Sequence, residues 1–259
     1  RVARSTVPRF EGDAALYVVR RYDALDRVIV EQRPDGARVR TRYEGLRTVA
    51  IDPMGRETVI EKDARGRTIK TIDPEMGATY FAYDASGKAI EVTNALGQVS
   101  RASYNLAGQR ESLDDPSLGR WKYRYNGYSE LIEQIDARGE SVVLRYDAIG
   151  RLVERRSRSD QAHYVFDQGA NALGRLTAVN SSQGASREVA YDMYGRVSSV
   201  NFRVGLDQSR VDQVYDSLSR PAERRYSSGF SVQNKYDEYG FWRQVHVSSQ
   251  KGTAIAWEA

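Results

Sequence analysis

Tyr146-Asp147-Ala148-Ile149-Gly150-Arg151 and Tyr191-Asp192-Met193-Tyr194-Gly195-Arg196 spell one pattern twice: an aromatic, Asp, two variable residues, Gly, Arg. Tyr83-Asp84-Ala85-Ser86-Gly87-Lys88 and Tyr104-Asn105-Leu106-Ala107-Gly108-Gln109 keep the aromatic, the Asp or Asn and the Gly, with another polar residue in place of Arg. Near copies begin at Tyr22, where Asp26 stands for the Gly, and at Lys62, Tyr125, Tyr215 and Tyr236. Tyr43-Glu44 is in phase but degenerate, and Phe166-Asp167 reaches Gly174-Arg175 only after a four-residue insertion. The copies start at 22, 43, 62, 83, 104, 125, 146, 166, 191, 215 and 236, a step of 21 residues with small deviations. The insertion accounts for the gap of 25 between 166 and 191; the sequence offers no reason for the gap of 24 that follows.

A second punctuation runs in the same period. Asp52-Pro53-Met54-Gly55, Asp73-Pro74, Asn94-Ala95-Leu96-Gly97, Asp115-Pro116 and Asp136-Ala137-Arg138-Gly139 begin 21 residues apart. Each unit therefore carries two turns. Asp or Asn at the first position bonds the backbone ahead, Pro at the second presets φ, and Gly at the fourth accepts the left-handed conformation that closes a bulged hairpin. Between turns the pattern alternates. Val39, Thr41 and Tyr43 oppose Arg38, Arg40 and Arg42, and Trp121, Tyr123 and Tyr125 oppose Lys122 and Arg124. Period-two alternation is strand alternation, with one face packed and the other wet. The reading is all-β: repeated antiparallel hairpins of about 21 residues each. About twenty-two strands at ~4.8 Å apiece would span about 100 Å if flat. Open sheets rarely exceed ~10 strands before curling, so a long, curved, spiralling sheet is expected. A six-bladed propeller would need alternate hairpins to differ, yet consecutive units at 83 and 104 carry the same turn. Tyr83, Tyr104, Tyr125, Tyr146 and Tyr191 share one repeat phase and are expected to form a packing spine across the sheet.

Composition agrees. The 259 residues include 17 Tyr and 21 Gly, fitting strands and turns. There is no Cys, which removes disulfides, thiolate metal sites and a Cys nucleophile. No window approaches ~18 uninterrupted apolar residues, so no helical membrane span is expected. Arg1-Val2-Ala3-Arg4 leads into no apolar stretch, so no signal peptide is visible. Net charge is +4, from 39 Lys and Arg against 35 Asp and Glu, not the profile of a dedicated nucleic-acid binder.

The Tyr-Asp-x-x-Gly-Arg motif at 21-residue spacing resembles the YD repeat of the RHS/YD-repeat family, over about 220 of the 259 residues. The segment Phe166–Leu176 is similar to a longer variant of that repeat. The family includes bacterial Rhs polymorphic-toxin proteins, the cocoon components of insecticidal Tc toxins, and teneurins. The resemblance implies that residues 1–259 are one YD-repeat region, a section of a longer protein, forming part of a hollow shell. It implies neighbouring repeats of the same longer chain and an encapsulated C-terminal toxin domain as partners. It also implies an exported or cell-surface bacterial protein whose repeats do containment work. The family's self-cleaving segment, rich in Asp-Pro motifs, has no counterpart after Trp257-Glu258-Ala259; Asp52-Pro53 and Asp115-Pro116 sit at repeat phase and read as turns.

No catalytic, cofactor-binding or metal-ligating residue is singled out. Asp23, Asp84, Asp147, Asp192 and Asp237 recur at one repeat position, and a group repeated along a chain is architectural. His163 and His246 read as strand residues. There is no Gly-x-Ser-x-Gly elbow and no phosphate-cradling Gly motif. Hard-cation loops need clustered Asp, and these stand about ten residues apart. A self-processing protease fragment is the enzyme alternative, but it needs a downstream core. Arg20-Arg21, Arg155-Arg156-Ser157-Arg158 and Arg224-Arg225 raise a carbohydrate- or receptor-binding alternative, against a solvated face of cross-strand ion pairs. Asn180-Ser181-Ser182 fits a glycosylation pattern that means nothing in a bacterial chain. The structural residues are thus Tyr83, Asp84, Gly87, Tyr104, Asn105, Gly108, Tyr146, Asp147, Gly150, Arg151, Tyr191, Asp192, Gly195 and Arg196.

Overall fold

The structure is a computed structural model that describes residues 3–7, 12, 14–250 and 252–259. Among them lie twenty-four β-strands, from Arg4–Thr6 to Gly252–Glu258, and no helix. The chain divides into two units, Arg1–Lys122 and Tyr123–Ala259, with the boundary inside the strand Gly119–Tyr125. In the first unit each strand pairs antiparallel with the strands before and after it in the chain. The second unit repeats this pattern from Leu131–Ile135 onward. Each unit is therefore a meander of hairpins with turns along two edges. One edge carries the Tyr-Asp turns, the other the turns of the second punctuation.

The hairpin around Asp147 shows the construction. Strand Ser141–Tyr146 leads into it and Leu152–Arg156 leaves. The Gly150 N–H donates to the Asp147 carbonyl at 3.1 Å, and the Asp147 N–H to the Arg151 carbonyl at 2.9 Å. This is a type I turn followed by one left-handed residue, with Gly150 at φ 81°. A second irregularity follows. Tyr146 pairs with Leu152 but Arg145 pairs with Glu154, so Val153 is an extra residue. The same skip falls beside Tyr22, Lys62, Tyr83, Tyr104, Phe166, Tyr191, Tyr215 and Tyr236. Nothing in the sequence marks this second bulge.

The burial pattern differs from strand to strand. Two strands entering Tyr-Asp turns, Arg38–Glu44 and Gly119–Tyr125, alternate cleanly, with the rings on the less exposed face. Several strands leaving these turns are half-buried on both faces, Val28–Gln32, Arg47–Ile51 and Leu131–Ile135 among them. The sequence reading of one packed and one wet face is therefore too strong. Among the described residues only Val49, Val59, Ala162, Ala172 and Val189 are buried hydrophobics. The chain exposes 17836 Å² of surface at a mass of 29.3 kDa, against about 11,500 Å² for a compact domain of that mass. Within each unit the strands form one layer, and that layer has no thick core.

The gap of 24 now has a cause. A standard repeat has strands of five and six residues joined by a five-residue turn, as in Leu131–Ile135 and Ser141–Tyr146. Between Tyr191 and Tyr215 the strands are Val197–Val204 and Asp207–Tyr215, of 8 and 9 residues, joined by Gly205-Leu206 alone. The hairpin lengthens at the edge opposite the Tyr-Asp turns, and the motif phase at the other edge is kept.

The fourth turn position is left-handed even without Gly. Asp26, Ser129 and Ser219 hold φ of 62°, 68° and 65°, and Met76 holds 68°. A side chain in that region costs on the order of 1 kcal/mol. Ser219→Gly should therefore raise stability by about 0.5–1 kcal/mol, and Gly150→Val should lower it by roughly 1–3 kcal/mol. Urea midpoints measure both; an unchanged midpoint for Gly150→Val would contradict the turn geometry.

Candidate functional site

The structure assembles the repeated residues into a clasp at most of the Tyr-Asp turns. Asp147 Oδ1 accepts from the Ile149 N–H at 3.1 Å and the Arg151 N–H at 2.9 Å, and Oδ2 accepts from Arg151 Nε at 2.7 Å. Asp192 does the same with Tyr194 and Arg196, and Asp63 and Asp216 with Arg67 and Arg220. Where the acid becomes an amide, its partner changes with it. Asn105 Nδ2 donates to Gln109 Oε1 at 2.7 Å, and Asn126 Nδ2 to Glu130 Oε2 at 2.6 Å. Asp84 takes the Lys88 N–H at 2.9 Å and the Ser86 hydroxyl at 2.7 Å. First and fifth turn residues thus form complementary pairs, a regularity present in the sequence that reading the motif residue by residue misses.

The tyrosine links one repeat to the one before. Tyr146 Oη donates to the Leu131 carbonyl at 2.9 Å, 15 residues earlier. Tyr83, Tyr104 and Tyr191 donate likewise to Thr68, Ala89 and Leu176 at 2.6, 3.1 and 2.6 Å. Every one of these acceptors is the first residue of the strand that leaves the preceding turn, and beside Thr68, Ala89 and Leu176 a bulge interrupts the ladder. The fifth residue of that preceding turn lies over the ring: Arg67 at 4.7 Å from the centroid of Tyr83, Lys88 at 5.3 Å from Tyr104, Arg175 at 5.3 Å from Tyr191, and Arg196 at 4.2 Å from Tyr215. Such a cation–ring contact contributes ~0.5–1 kcal/mol when exposed.

This crossing gives the turn glycine a second reason to lack a side chain. A Cβ on Gly195 would run into the Arg175 guanidinium, and one on Gly108 into Lys88, whose Nζ donates to the Gly108 carbonyl at 2.7 Å. Gly87, Gly108 and Gly195 have φ of 89°, 78° and 72°. The aromatic at 166 is Phe, with Arg151 over its ring at 4.4 Å and no hydroxyl to donate. Arg151 instead reaches Asp167 Oδ2 at 2.8 Å, so this junction keeps a charged link.

Other candidate groups lie scattered. His163 stands between Glu154 and Asn180 of neighbouring strands. His246 Nε2 lies 3.0 Å from Gln244 Oε1 of its own strand. Among the described residues no three His, Asp or Glu side chains gather as a metal-holding group. Strand arginines meet carboxylates on neighbouring strands: Arg20–Glu31 at 2.7 Å, Arg101–Glu91 at 2.9 Å and Arg124–Glu133 at 3.0 Å. A shallow cleft of about 400 Å³ opens among Ser186, Glu188, Asn201, Arg203, Gln208 and Arg210, where Arg210 is already paired with Asp212 at 2.7 Å. No helix is long and apolar enough to cross a membrane among the described residues.

A chain of self-similar hairpins, each locked at its turn and stitched to its predecessor, defines a β-hairpin repeat array. No family model matches the chain. It is 28% identical over 169 residues to double-stranded DNA deaminase toxin A of Burkholderia cenocepacia (strain H111), covering 56% of this chain and 11% of that protein. It is 27% identical over 164 residues to toxin protein Tse5 of Pseudomonas aeruginosa, covering 52% of this chain and 12% of that one. Among solved structures it matches TcdB2-TccC3 without its hypervariable C-terminal region at a TM-score of 0.80 and 14% identity, over 93% of this chain and 15% of that chain. The fold is therefore that of a stretch of TcdB2-TccC3, and the matched part is a small fraction of each of these larger proteins. The motif, its 21-residue spacing, the fold and these relatives all accord with the resemblance to the RHS/YD repeat.

Two tests follow from the clasp. Tyr146→Phe should cost about 0.5–1.5 kcal/mol, one hydrogen bond, and Phe166→Tyr should gain a similar amount by supplying a donor beside Leu152; chemical denaturation measures both, and equal midpoints for all three proteins would contradict the stitch. The Asp147 carboxyl is held below its ordinary range, chiefly by the Arg151 N–H and, against some burial, by the Arg151 guanidinium. Asp23 is held low first by the Arg27 guanidinium, then by the Arg27 N–H. Lowered folded-state pKa values stabilise the fold above the unfolded carboxyl value of about 3.9. That contribution is lost as pH falls below it through the folded values. Thermal unfolding across pH 2–6, a window set by ~3.9, should show the midpoint falling on the acid side, less steeply in Asp147→Asn/Arg151→Gln.

Proposed function

We propose that this chain is a wall segment of a β-sheet cocoon that encloses a toxin or effector domain in an exported bacterial protein. The whole of 1–259 acts as one run of repeats within a longer wall, bounded by further repeats of the same protein. The region is a scaffold and does no chemistry of its own. The observation that carries this reading is the stitch. Each hairpin is tied to its predecessor by a tyrosine hydroxyl and a cation over the ring, in a layer with almost no core of its own. An array held from neighbour to neighbour extends without limit, which is what a wall requires and a compact catalytic domain does not. The likeness to TcdB2-TccC3 and to two proteins named as toxins supports the same reading. The strand arginines support it as well, since many are neutralised by adjacent carboxylates instead of converging on a ligand.

Limited proteolysis of the full-length protein that carries this region tests the proposal. The segment C-terminal to the repeats should survive in the native protein. It should be digested when Tyr83→Ala, Tyr146→Ala and Tyr191→Ala together loosen the stitches. Equal digestion in both proteins would overturn the containment role.

A further inference from the structure

Of the seven asparagines in the chain, Asn126 alone is followed by glycine. It holds the first position of the turn that leads into Leu131–Ile135. Its amide is gripped at both ends. Oδ1 accepts from the Tyr128 and Glu130 N–H groups, each at 3.0 Å, and Nδ2 donates to Glu130 Oε2 at 2.6 Å. Asn94 and Asn105 sit in the same kind of clasp, but their Nδ2 atoms donate to the neutral amides of Gln98 and Gln109, and Ala95 and Leu106 follow them. Asn126 is thus the clasp asparagine whose amide meets a carboxylate.

These contacts suit an attack on the Asn126 Cγ. The nucleophile at hand is the Gly127 backbone nitrogen. Gly127 is exposed, and its N–H has no hydrogen-bond partner among the described residues. No atom stands within 4 Å of where its Cβ would lie. Without a side chain this residue can turn toward the amide at little steric cost. As the nitrogen bonds to Cγ, negative charge gathers on Oδ1, where two N–H donors already point, as in an oxyanion hole. Nδ2 must then leave with an added proton, and the Glu130 carboxyl beside it is placed to pass one on.

We propose that Asn126 is a self-modification site, where the Gly127 nitrogen displaces the side-chain nitrogen, Glu130 carries the proton and the turn loses its lock. Solvent base takes the Gly127 N–H proton, the bond from Gly127 N to Cγ forms, and the Cγ–Nδ2 bond breaks. Ammonia leaves with a proton drawn from solvent through Glu130. Water then opens the cyclic imide at either carbonyl, which leaves an aspartyl or an isoaspartyl residue at 126. The net change consumes water and releases ammonia, with no oxidation or reduction. The product breaks the pairing of first and fifth turn residues, in which Asp147 goes with Arg151 but Asn126 with Glu130. A carboxylate at 126 faces the Glu130 carboxylate, and like charges that close repel. An isoaspartyl linkage adds a main-chain carbon inside the turn. The chain thereby carries a spontaneous timer at one hairpin, which goes beyond the wall role and does not depend on it.

Peptide mapping by mass spectrometry of the folded 259-residue chain, aged at neutral pH, tests this. Trypsin places Asn126 in residues 125–138, Asn105 in 102–110 and Asn94 in 89–101, so the three clasps are read side by side in one sample. Position 126 should convert to the aspartyl and isoaspartyl forms while 94 and 105 stay amides. Gly127→Ala, whose methyl has room, should block conversion with circular dichroism unchanged. Glu130→Gln keeps an acceptor for Nδ2, as in Asn105 and Gln109, and should slow conversion by about 10²-fold, the scale of a positioned proton-transfer group. With both chains unfolded in urea, Glu130→Gln and the native chain should convert alike. Asn126→Asp should lower the urea midpoint at neutral pH. Conversion at Asn126 no faster than at Asn94 and Asn105 would overturn the proposal. So would equal folded-state rates for the native chain and Glu130→Gln, or a native midpoint for Asn126→Asp.

Discussion

Everything in this structure hangs on a side-chain oxygen at the first turn position that binds the backbone N–H four residues on. Asp147 and Arg151 show it with a carboxylate, Asn105 and Gln109 with an amide. That bond sets the three-residue loop and places the next residue in the left-handed region. It also orients the fifth side chain along the sheet edge, where it crosses the following glycine and lies over the following aromatic. The turn is local, but its product is a contact between repeats.

A single-layer sheet needs such contacts because it lacks the usual one. The five buried apolar residues among those described cannot hold the twenty-four strands described. The exposed ion pairs add little each, about 0–1 kcal/mol. The cross-strand ladder, a phenol hydrogen bond of ~1 kcal/mol and a cation–ring contact recur at junction after junction. Stability in such an array is a sum of repeat and nearest-neighbour terms.

Summation also explains the tolerance of poor copies. Lys62 lacks the ring, but Asp63 and Arg67 still lock the turn, and Arg67 still covers Tyr83. Phe166 lacks the hydroxyl, and Arg151 bonds Asp167 across that junction. The insertion between Asp167 and Gly174 keeps the turn by letting Asp167 accept from the Gly174 N–H, seven residues along. The lengthened hairpin of Val197–Val204 and Asp207–Tyr215 grows at the opposite edge and leaves the Tyr215 hydroxyl on Val197 at 3.0 Å. Each defect is confined to one junction because no central core couples distant repeats.

The sequence by itself determined the strands, both rows of turns, the left-handed glycines and the all-β class. All of these are set by bonds within a few residues, and a 21-residue period displays such bonds many times over. It also held the pairing of the first and fifth turn residues, legible as Asp with Arg beside Asn with Gln or Glu. Three things were decided by tertiary structure alone. The extra residue after nine of the Tyr-Asp turns, Val153 in one hairpin, depends on how a strand registers against its partner, and no residue type signals it. The acceptor of each tyrosine lies on a strand of the preceding repeat, and only the registered sheet brings phenol and carbonyl together. The half-buried state of both faces depends on whether a second layer is present, and an alternating pattern reads the same with or without one.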